Sequence, residues 1–236
     1  MSKMIWAGAS LAAGILLLLA ALWLFFFLRN PPGQIGWWKL DQSGGATVRD
    51  SSRLFGHNGK IIYKGFEWVE GPHDHALQLD GRSHVLLGNI YQGSYDQMSI
   101  ACWIKHSSTG WQSIVERGVW DDPDGIGLWA DYSGQGVTFG HYASAQLKSQ
   151  AVVQDDKWHH VAGTLAKSGD AYLYSIYVDG KLDNTMTNSI GLEATTNPWS
   201  IGARYTGEWA YTGQVSDVRI FNRALTPAEV RRLYKP

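Results

Sequence analysis

Apolar residues follow two different patterns along the chain. Residues 4–28 contain no charged side chain and are bracketed by Lys3 and Arg29. A helix of this length, at about 1.5 Å per residue, is longer than the hydrocarbon core of a bilayer, which is about 30 Å thick. A cleaved signal peptide has a shorter apolar region, of about 7–15 residues, and small residues at its cleavage site. The pattern therefore predicts one transmembrane helix, an uncleaved membrane anchor over residues 1–29.

Aromatic residues are frequent within this predicted anchor. An indole near one end of a transmembrane helix is typical of the membrane interface. A short amino-terminal flank ahead of a large domain favours an amino terminus inside, although the positive charges on the two sides of the span are nearly equal. We therefore expect a single-pass membrane protein whose carboxy-terminal domain lies on the periplasmic or extracellular side. The aromatic anchor residues are Trp6, Trp23, Phe25, Phe26 and Phe27.

Beyond the anchor, the apolar pattern changes to short runs of alternating residues. Pro31 and Pro32 end the helix because proline lacks an amide donor, and residues 30–35 form a predicted linker. Residues 99–105 carry apolar groups on both faces, which is typical of an inner strand in two stacked sheets. About eleven such runs, separated by Gly-rich turns, predict an all-β domain over residues 36–236. Its expected architecture is a two-sheet antiparallel jelly-roll sandwich.

One short helix is indicated near the carboxy terminus. Thr226 and Glu229 have the spacing of a capping box, and Pro227 occupies the first helical position between them. Val230 and Leu233 then recur at helical spacing. The pattern predicts a final helix whose apolar side packs onto the sandwich.

Composition and charge exclude several classes of protein. The formal net charge is −1 and only 17% of residues are charged, which argues against a nucleic-acid binder with its clustered basic face. A single cysteine, Cys102, excludes an intramolecular disulfide framework and a Cys-rich zinc site. With 27 Gly and 12 Trp residues, the chain has the composition expected of Gly-rich turns between aromatic strands.

An ordered series of short motifs runs through nearly the whole predicted domain. The motifs are Trp38-Lys39-Leu40-Asp41, Asp50-Ser51-Ser52, His57-Asn58-Gly59, Ala76-Leu77-Gln78-Leu79-Asp80-Gly81, Ala101-Cys102-Trp103-Ile104-Lys105, Lys157-Trp158-His159-His160-Val161-Ala162-Gly163-Thr164, Ile176-Tyr177-Val178-Asp179-Gly180, Ile201-Gly202-Ala203-Arg204 and Val215-Ser216-Asp217-Val218-Arg219-Ile220-Phe221-Asn222-Arg223-Ala224-Leu225. Together they resemble the laminin-G-like jelly rolls of the concanavalin A-like lectin/glucanase superfamily, and the resemblance leaves out the anchor. It implies a binding or adhesion module, since members of this family are mainly non-catalytic.

The resemblance also implies one structural calcium ion. Members of the family often carry calcium where an early Asp-Ser-Ser loop meets the last long strand, which here places Asp50 and Asp217 as its ligands. Calcium takes 6–8 oxygen ligands, commonly carboxylates together with backbone carbonyls. The alternative interpretation is a pair of turn and strand-end aspartates that accept hydrogen bonds from amides. A second acidic loop at residues 121–124 is also explained by turn chemistry.

Catalytic groups are missing from the sequence. His159 and His160 are neighbours in a predicted strand, so their side chains point to opposite faces and cannot share a metal ion. Glucanase relatives carry Glu-x-Asp-x-(x)-Glu on one inner strand, which holds two carboxylates about 5 Å apart. No Glu of this chain is followed by Asp two positions later, and we expect a protein that is not an enzyme. The Glu residues are at positions 67, 70, 116, 193, 208 and 229.

Several aromatic residues lie in predicted loops or at strand ends, beside Gly and Asp. Flat rings at such positions bind sugars by stacking, while hydrogen bonds at a rigid rim fix the sugar's orientation. The alternative is that a Trp-rich sandwich buries most of its rings in the core. The candidates for contact with a carbohydrate or a protein partner are Trp111, Trp120, Trp209 and Tyr211.

Two hypotheses for function follow. In the first, the protein is a non-catalytic accessory subunit of a membrane complex of photosynthetic, respiratory or secretion type, which the sequence does not distinguish. Its aromatic span would pack against membrane lipid and partner helices, while the jelly roll braces the outer face of the complex. In the second, the protein is a membrane-tethered lectin-like module that binds a glycan.

Overall fold

The computed structural model describes residues 31–52, 56–63, 65–90, 96–118, 125–132, 136–142 and 144–235, together with residues 14, 15 and 18. The chain divides into two units, Met1–Gln34 and Ile35–Pro236. The predicted anchor aromatics Trp6, Trp23, Phe25, Phe26 and Phe27 lie outside the described residues. Within the described part of the chain, none of the helices has the length and apolar character needed to span a bilayer.

The second unit is built almost entirely of β-strands, as the alternating pattern predicts. A single helix, α1 (Pro227–Tyr234), follows the last strand among the described residues. In chain order the strands are β1 (Gln34–Trp38), β2 (Thr47–Val48), β3 (Gly59–Ile62), β4 (Phe66–Gly71), β5 (Asp74–Asp80), β6 (His84–Gly88), β7 (Gln97–Lys105), β8 (Gln112–Arg117), β9 (Ile126–Ala130), β10 (Val137–His141), β11 (Ala145–Lys148), β12 (His159–Ser168), β13 (Ala171–Val178), β14 (Lys181–Asn188), β15 (Trp199–Ile201) and β16 (Thr212–Phe221).

These strands form two eight-stranded sheets. The first has the order β14-β13-β12-β7-β16-β5-β4, and β1 also pairs with β16. The second has the order β11-β10-β9-β8-β15-β6-β3-β2. Neighbouring strands such as β7 and β12, or β8 and β15, run antiparallel. The predicted all-β, two-sheet antiparallel sandwich is therefore confirmed.

Strand β7 shows how the two faces of the first sheet are buried. Ile100, Cys102 and Ile104 face the apolar core between the sheets. Ala101, on the opposite face, belongs to a smaller apolar cluster that includes Val230 of helix α1. The strand is thus covered on both sides, which explains why its sequence is apolar at almost every position.

Helix α1 begins as its capping box predicts. Thr226 is the N-cap: its side chain accepts a hydrogen bond from the Glu229 amide, and the Glu229 side chain accepts one from the Thr226 amide. The Glu229 carboxylate also pairs with Arg223 at 2.7 Å. Val230 and Leu233 are buried, and these contacts fix the helix on the outer face of the first sheet.

Five strands have no counterpart in the alternating runs of the sequence. These unpredicted strands lie at or beside sheet edges, where one face is exposed and the apolar alternation is weak. They are β2, β3, β4, β11 and β14.

Strand β1 begins slightly earlier than the sequence predicts. Its first residue is Gln34, two positions before the predicted start of the domain, and the Gln34 amide donates to the Pro31 carbonyl at 3.2 Å.

Candidate functional site

Asp50 organises the loop that follows β2. Its Oδ1 accepts hydrogen bonds from the Trp37 amide at 3.1 Å and the Ser52 amide at 2.8 Å. Its Oδ2 accepts one from the His57 amide at 2.9 Å. Both oxygens are therefore bonded to backbone amides, which is the alternative that the sequence left open for this carboxylate.

Asp217 lies where the pairing of β16 with β7 shifts register, and its backbone is left-handed with φ at 49°. Its Oδ1 accepts from the Trp37 indole at 2.5 Å and from Arg219 Nε at 3.1 Å. Its Oδ2 accepts from Arg219 Nη2 at 2.9 Å. The guanidinium holds the carboxylate through both oxygens, the strong geometry for such a pair.

The structure thus places Asp50 and Asp217 against the backbone and the indole of the same residue, Trp37. Both carboxylates have protein donors, and Arg219 supplies a positive charge beside Asp217. No group of three or more His, Cys, Asp or Glu side chains is arranged to hold a metal ion among the residues that the structure describes. The shared calcium ion stays a prediction, and the function proposed below does not use it.

Two of the four candidate aromatic residues come together at one rim of the second sheet. Trp111 directly precedes β8, and Trp209 lies in the β15–β16 loop (residues 202–211). Their ring centroids are 6.1 Å apart in an edge-to-face arrangement, and both side chains are half-buried. The Ser113 amide donates to the Trp209 carbonyl at 2.8 Å, which fixes the loop to the start of β8.

The other two candidates do not join them. Tyr211 is fully buried in the main core, and its ring packs 5.2 Å from His106. It lies inside because it leads directly into β16, whose residues Val215, Val218 and Ile220 face the same core. A buried ring cannot stack on an external ligand, so we leave Tyr211 out of the candidate surface. Trp120 lies outside the described residues.

Two further aromatic rings extend the pair. Trp129 of β9 stacks on Trp111 with 5.6 Å between centroids, and Tyr142 lies 4.9 Å from Trp129 and 6.3 Å from Trp209. Trp129 and Tyr142 are fully buried, whereas Trp111 and Trp209 retain exposure. We call Trp111, Trp129, Tyr142 and Trp209 the aromatic platform. The two buried rings support the two that reach the surface.

Arg204 holds the platform from below. Its guanidinium carbon lies 3.4 Å from the centre of the Trp209 ring and 5.2 Å from that of Tyr142. A guanidinium stacked on aromatic faces is attracted by their π electrons, most strongly when it is removed from water. Arg204 is 5% exposed and pairs with Glu208 at 3.1 Å.

Glu116 of β8 is a second ionisable group beneath the rings. It is fully buried and accepts hydrogen bonds from the Ser113 hydroxyl and the Trp129 indole, each at 2.6 Å. Arg204 Nε lies 3.8 Å from its Oε1. Burial raises the pKa of Glu116, since desolvation disfavours a charged carboxylate. Glu116 therefore positions Trp129 and Arg204, and is closed off from solvent by the rings above it.

The sequence contained a signal for Arg204 but none for this pairing. Arg204 ends the motif Ile201-Gly202-Ala203-Arg204, whereas Glu116 looks like one more residue of a predicted strand. The two positions are 88 residues apart, and only the adjacency of β8 and β15 brings them together. A contact that depends on strand order cannot be derived from local spacing.

Comparisons with known proteins match most of the domain to one family. A family model described as the concanavalin A-like lectin/glucanases superfamily matches residues 79–231. No curated protein shows significant sequence similarity to the chain.

Several solved structures share the fold. Domain 4 of AbnA, a GH43 extracellular arabinanase from Geobacillus stearothermophilus solved with arabinotriose, is 19% identical with a TM-score of 0.66, over 86% of this chain and 98% of that one. A Trypanosoma rangeli sialidase is 20% identical with a TM-score of 0.62, over 86% and 32%. The binding domain of Paraclostridial Mosquitocidal Protein 1 is 14% identical with a TM-score of 0.65, over 86% and 52%. The chain thus spans about a third of the sialidase and half of the mosquitocidal binding domain.

Proposed function

The chain belongs to the concanavalin A-like lectin/glucanases superfamily, and we propose that it is a non-catalytic carbohydrate-binding module. The observation that carries the proposal is the aromatic platform, in which Trp111 and Trp209 reach the surface on rings and charges fixed beneath them. A sugar has an apolar C–H face that packs on such rings and a polar edge for hydrogen bonds. Both kinds of contact are typical of small-molecule sites in proteins.

The platform is rigid before any ligand arrives. The Trp209 loop is closed by hydrogen bonds from the Arg204 amide to the Glu208 carbonyl at 3.0 Å and from the Gly207 amide to the Arg204 carbonyl at 2.8 Å. Arg204 and Glu116 then hold the rings through buried contacts. A site that is already ordered spends little conformational entropy on binding, which matters for weak sugar contacts.

The solved neighbours support the choice of ligand class. The arabinanase domain was solved with arabinotriose, and the alignment with this protein includes almost all of that domain. At 19% identity the likeness concerns the fold. That this chain also binds a sugar of this class is our proposal. Arabinotriose and arabinan are accordingly the first probes to use.

The absence of catalysis is also part of the proposal. The sequence has no Glu with an Asp two positions later, the spacing of the glucanase relatives. Glu116 is hydrogen-bonded to one of the platform rings, and both the Ser113 hydroxyl and the Trp129 indole donate to its Oε2. A fully buried carboxylate with these partners is suited to holding the rings rather than to attacking a glycosidic bond.

The accessory-subunit hypothesis rests on different residues. It depends on the aromatic segment before residue 30, which lies outside the described residues, and nothing in the described domain favours a membrane complex over a glycan. The membrane tether that the sequence predicts is compatible with the carbohydrate-binding proposal, because a tethered module holds its domain close to a surface polymer.

The proposal is tested by binding of the full-length chain, in mild detergent, to immobilised arabinan and to a glycan array. We expect retention of the unaltered chain on at least one neutral glycan. Trp209→Ala is expected to weaken that binding at least tenfold, because it removes one of the two half-buried rings through which the platform reaches the surface.

Two further variants serve as controls. Trp209→Phe keeps an aromatic face and is expected to retain most of the affinity. Leu182→Ala changes a side chain that is 55% exposed on β14 of the other sheet, and should leave binding unchanged. Failure of the unaltered chain to bind any glycan, or equal binding by Trp209→Ala with an intact circular dichroism spectrum, would overturn the proposal.

A further inference from the structure

A cleft of about 560 Å³ lies beside the β15–β16 loop and is lined by Tyr63, Gly65, Asp80, Gly81, Arg82 and Gly207. Strand β15 separates β8 from β6 in the second sheet. The aromatic platform is built on the β8 side, whereas Tyr63 follows β3 and Arg82 precedes β6 on the opposite side. The same loop therefore borders both features, with Trp209 in the platform and Gly207 in the cleft.

Tyr63 provides an exposed ring at this cleft. Its side chain is 65% exposed. Its backbone is left-handed, with φ at 69°. That conformation costs an L-residue roughly 1–2 kcal/mol, which a glycine would avoid. Strained positions that persist are concentrated at ligand sites.

Asp80 provides an oriented carboxylate. Its Oδ1 accepts hydrogen bonds from the amides of Arg82 and Ser83, each at 3.0 Å. Burial opposes ionisation, but the amides of Ser83 and Arg82 outweigh it and hold the pKa of Asp80 below its usual value. A Cβ at Gly65 would overlap Asp80 Oδ2, so the wall of the cleft depends on glycine at that position to make room for the carboxylate.

A buried, uncharged ring lies beside Tyr63. His84 is 2% exposed, and its ring lies 6.2 Å from that of Tyr63. Burial lowers the pKa of His84, so its imidazole is uncharged at neutral pH. Among the described residues that line the cleft, the formal charges are those of Asp80 and Arg82, which cancel. Such a site favours a neutral polyhydroxyl ligand over an anion or a cation.

We infer that this cleft is a second carbohydrate subsite, which binds a neutral sugar unit between the Tyr63 ring and the Asp80 and Arg82 side chains. The inference rests on the proposed function and adds to it a site that the platform does not include. The Tyr63 ring packs on the C–H face of the sugar, Asp80 accepts from its hydroxyls, and Arg82 donates to its oxygens. The volume lies within the range of roughly 300–1,000 Å³ for small-molecule sites.

The two subsites together give the module a preference for polymers. A glycan long enough to reach both sides of the β15–β16 loop binds the second subsite intramolecularly, at a high effective concentration. A mono- or disaccharide is too short to reach both subsites, so its affinity does not increase in this way. The unaltered chain should therefore bind a polysaccharide far more tightly than it binds the corresponding short oligosaccharide.

The test compares variants of both subsites in the full-length chain. We expect Tyr63→Gly and Asp80→Asn each to weaken polysaccharide binding about tenfold. Tyr63→Phe, which retains the ring, should stay within twofold. Tyr63→Gly removes the ring together with the backbone strain, and Asp80→Asn keeps the Oδ1 acceptor of its turn, so both variants are expected to stay folded, which circular dichroism checks.

A second measurement separates this inference from the proposed function. In a Trp209→Ala background, millimolar arabinotriose or the best short oligosaccharide of the array should still shift the NMR signals of Tyr63, and Tyr63→Gly should abolish all saturable shifts. If the unaltered chain binds no glycan, the proposed function and the subsite both fail. If it binds glycan with unchanged affinity after Tyr63→Gly and Asp80→Asn, the platform alone is the site and the cleft inference is overturned.

Discussion

Tyr63 and Trp209 share an unusual backbone conformation. Both are bulky residues with φ in the left-handed region, at 69° and 52°. Left-handed backbone is tolerated by Asp and Asn, and the other non-glycine cases in the described chain are mostly Asp residues. The remaining bulky example, Leu40, is buried in the core. Backbone strain with an exposed or half-exposed aromatic side chain thus occurs at the two surfaces that we propose to bind sugar.

Asp217 yields a prediction at the same scale. We expect Asp217→Ala to lower the free energy of unfolding by about 2 kcal/mol, because the Arg219 guanidinium and the Trp37 indole both lose their acceptor. Asp217→Asn keeps one acceptor oxygen and should lose about half as much. Guanidinium denaturation followed by tryptophan fluorescence measures both.

The same denaturation series addresses the predicted calcium ion. With the contacts described here, the effect of Asp217→Ala should be equal in calcium and in chelator. A chelator that lowers the melting temperature of the unaltered chain, but not that of Asp217→Asn, would instead support a shared ion. If Asp217→Ala changes the free energy of unfolding by less than about 0.5 kcal/mol, as a neutral surface substitution does, the Asp217–Arg219 ion pair does not contribute to stability.

Among the elements, helix α1 was predictable down to its first residue. Its start is encoded locally by Thr226, Pro227 and Glu229, and the structure forms the capping box that this spacing predicts. Arg223 was not part of that prediction, because its pairing with Glu229 joins the end of β16 to the helix. Local motifs fix the element, and tertiary contacts then add to its stability.

The Glu229–Arg223 pair gives this helix a pH dependence. The Arg223 hydrogen bond, followed by the Thr226 amide, lowers the pKa of Glu229 to about 2 although partial burial acts in the opposite direction. A depressed acid pKa stabilises the fold above the unfolded value of about 4.5, and that contribution is lost as pH falls towards about 2. We expect Glu229→Gln to destabilise the chain by about 1 kcal/mol at pH 7, mainly because it removes the negative charge that pairs with Arg223, since Gln at this position can still accept the capping hydrogen bond.

The stability lost in Glu229→Gln, relative to the unaltered chain, should shrink between pH 4.5 and pH 2 and vanish below about pH 2. Urea denaturation of both chains at several pH values measures this difference. Thr226→Ala is the matched control, since it removes the cap without removing a titrating group. A deficit of Glu229→Gln that is constant down to pH 2 would contradict the assignment.

The strands that the sequence missed illustrate the limit of periodicity. Strand β14 reads KLDNTMTN and is exposed or half-exposed along its length, since it forms the edge of the first sheet. A strand at an edge is covered by fewer neighbours, so few of its positions have to be apolar. Central strands such as β7 and β9 are buried at nearly every position, and their residues were recognised directly.

On the scale of the whole molecule, buried histidines make the stability of the fold depend on pH. Burial lowers the pKa of His160 and of His106 to about 4 from an ordinary value near 6.5, and nearby charges modify the shift. Below pH 6.5 these two histidines are protonated in the unfolded chain but stay neutral in the folded chain. The free energy of unfolding therefore falls as pH drops from about 6.5 to about 4. The protein should therefore be most stable above pH 6.5.

His160→Gln tests this dependence. The substitution loses packing against Trp103, whose ring lies 5.5 Å away, and should lower stability at pH 7. Its stability should nevertheless fall less steeply than that of the unaltered chain between pH 6.5 and pH 4, because one buried titrating group has been removed. Thermal melting across that range measures the two slopes, and parallel curves would contradict the prediction.

The sequence by itself determined the features that are encoded over a few neighbouring residues. Alternation in strands such as β7 predicted the all-β sandwich, the Thr226 capping box predicted helix α1, and an ordered series of motifs predicted the superfamily. The membrane anchor and the calcium ion stay predictions. Each confirmed feature reflects a local preference or a pattern of burial, which short-range sequence records directly.

Only the tertiary structure decided which candidate residues form a site. Loop position suggested Trp111, Trp209 and Tyr211 equally, but strand order places the two Trp rings side by side and sends Tyr211 into the core. The Glu116–Arg204 pair and the Tyr63 cleft likewise join residues from distant strands. Side chains meet across a sheet according to its strand order and register, and neither is written in the spacing of any one segment.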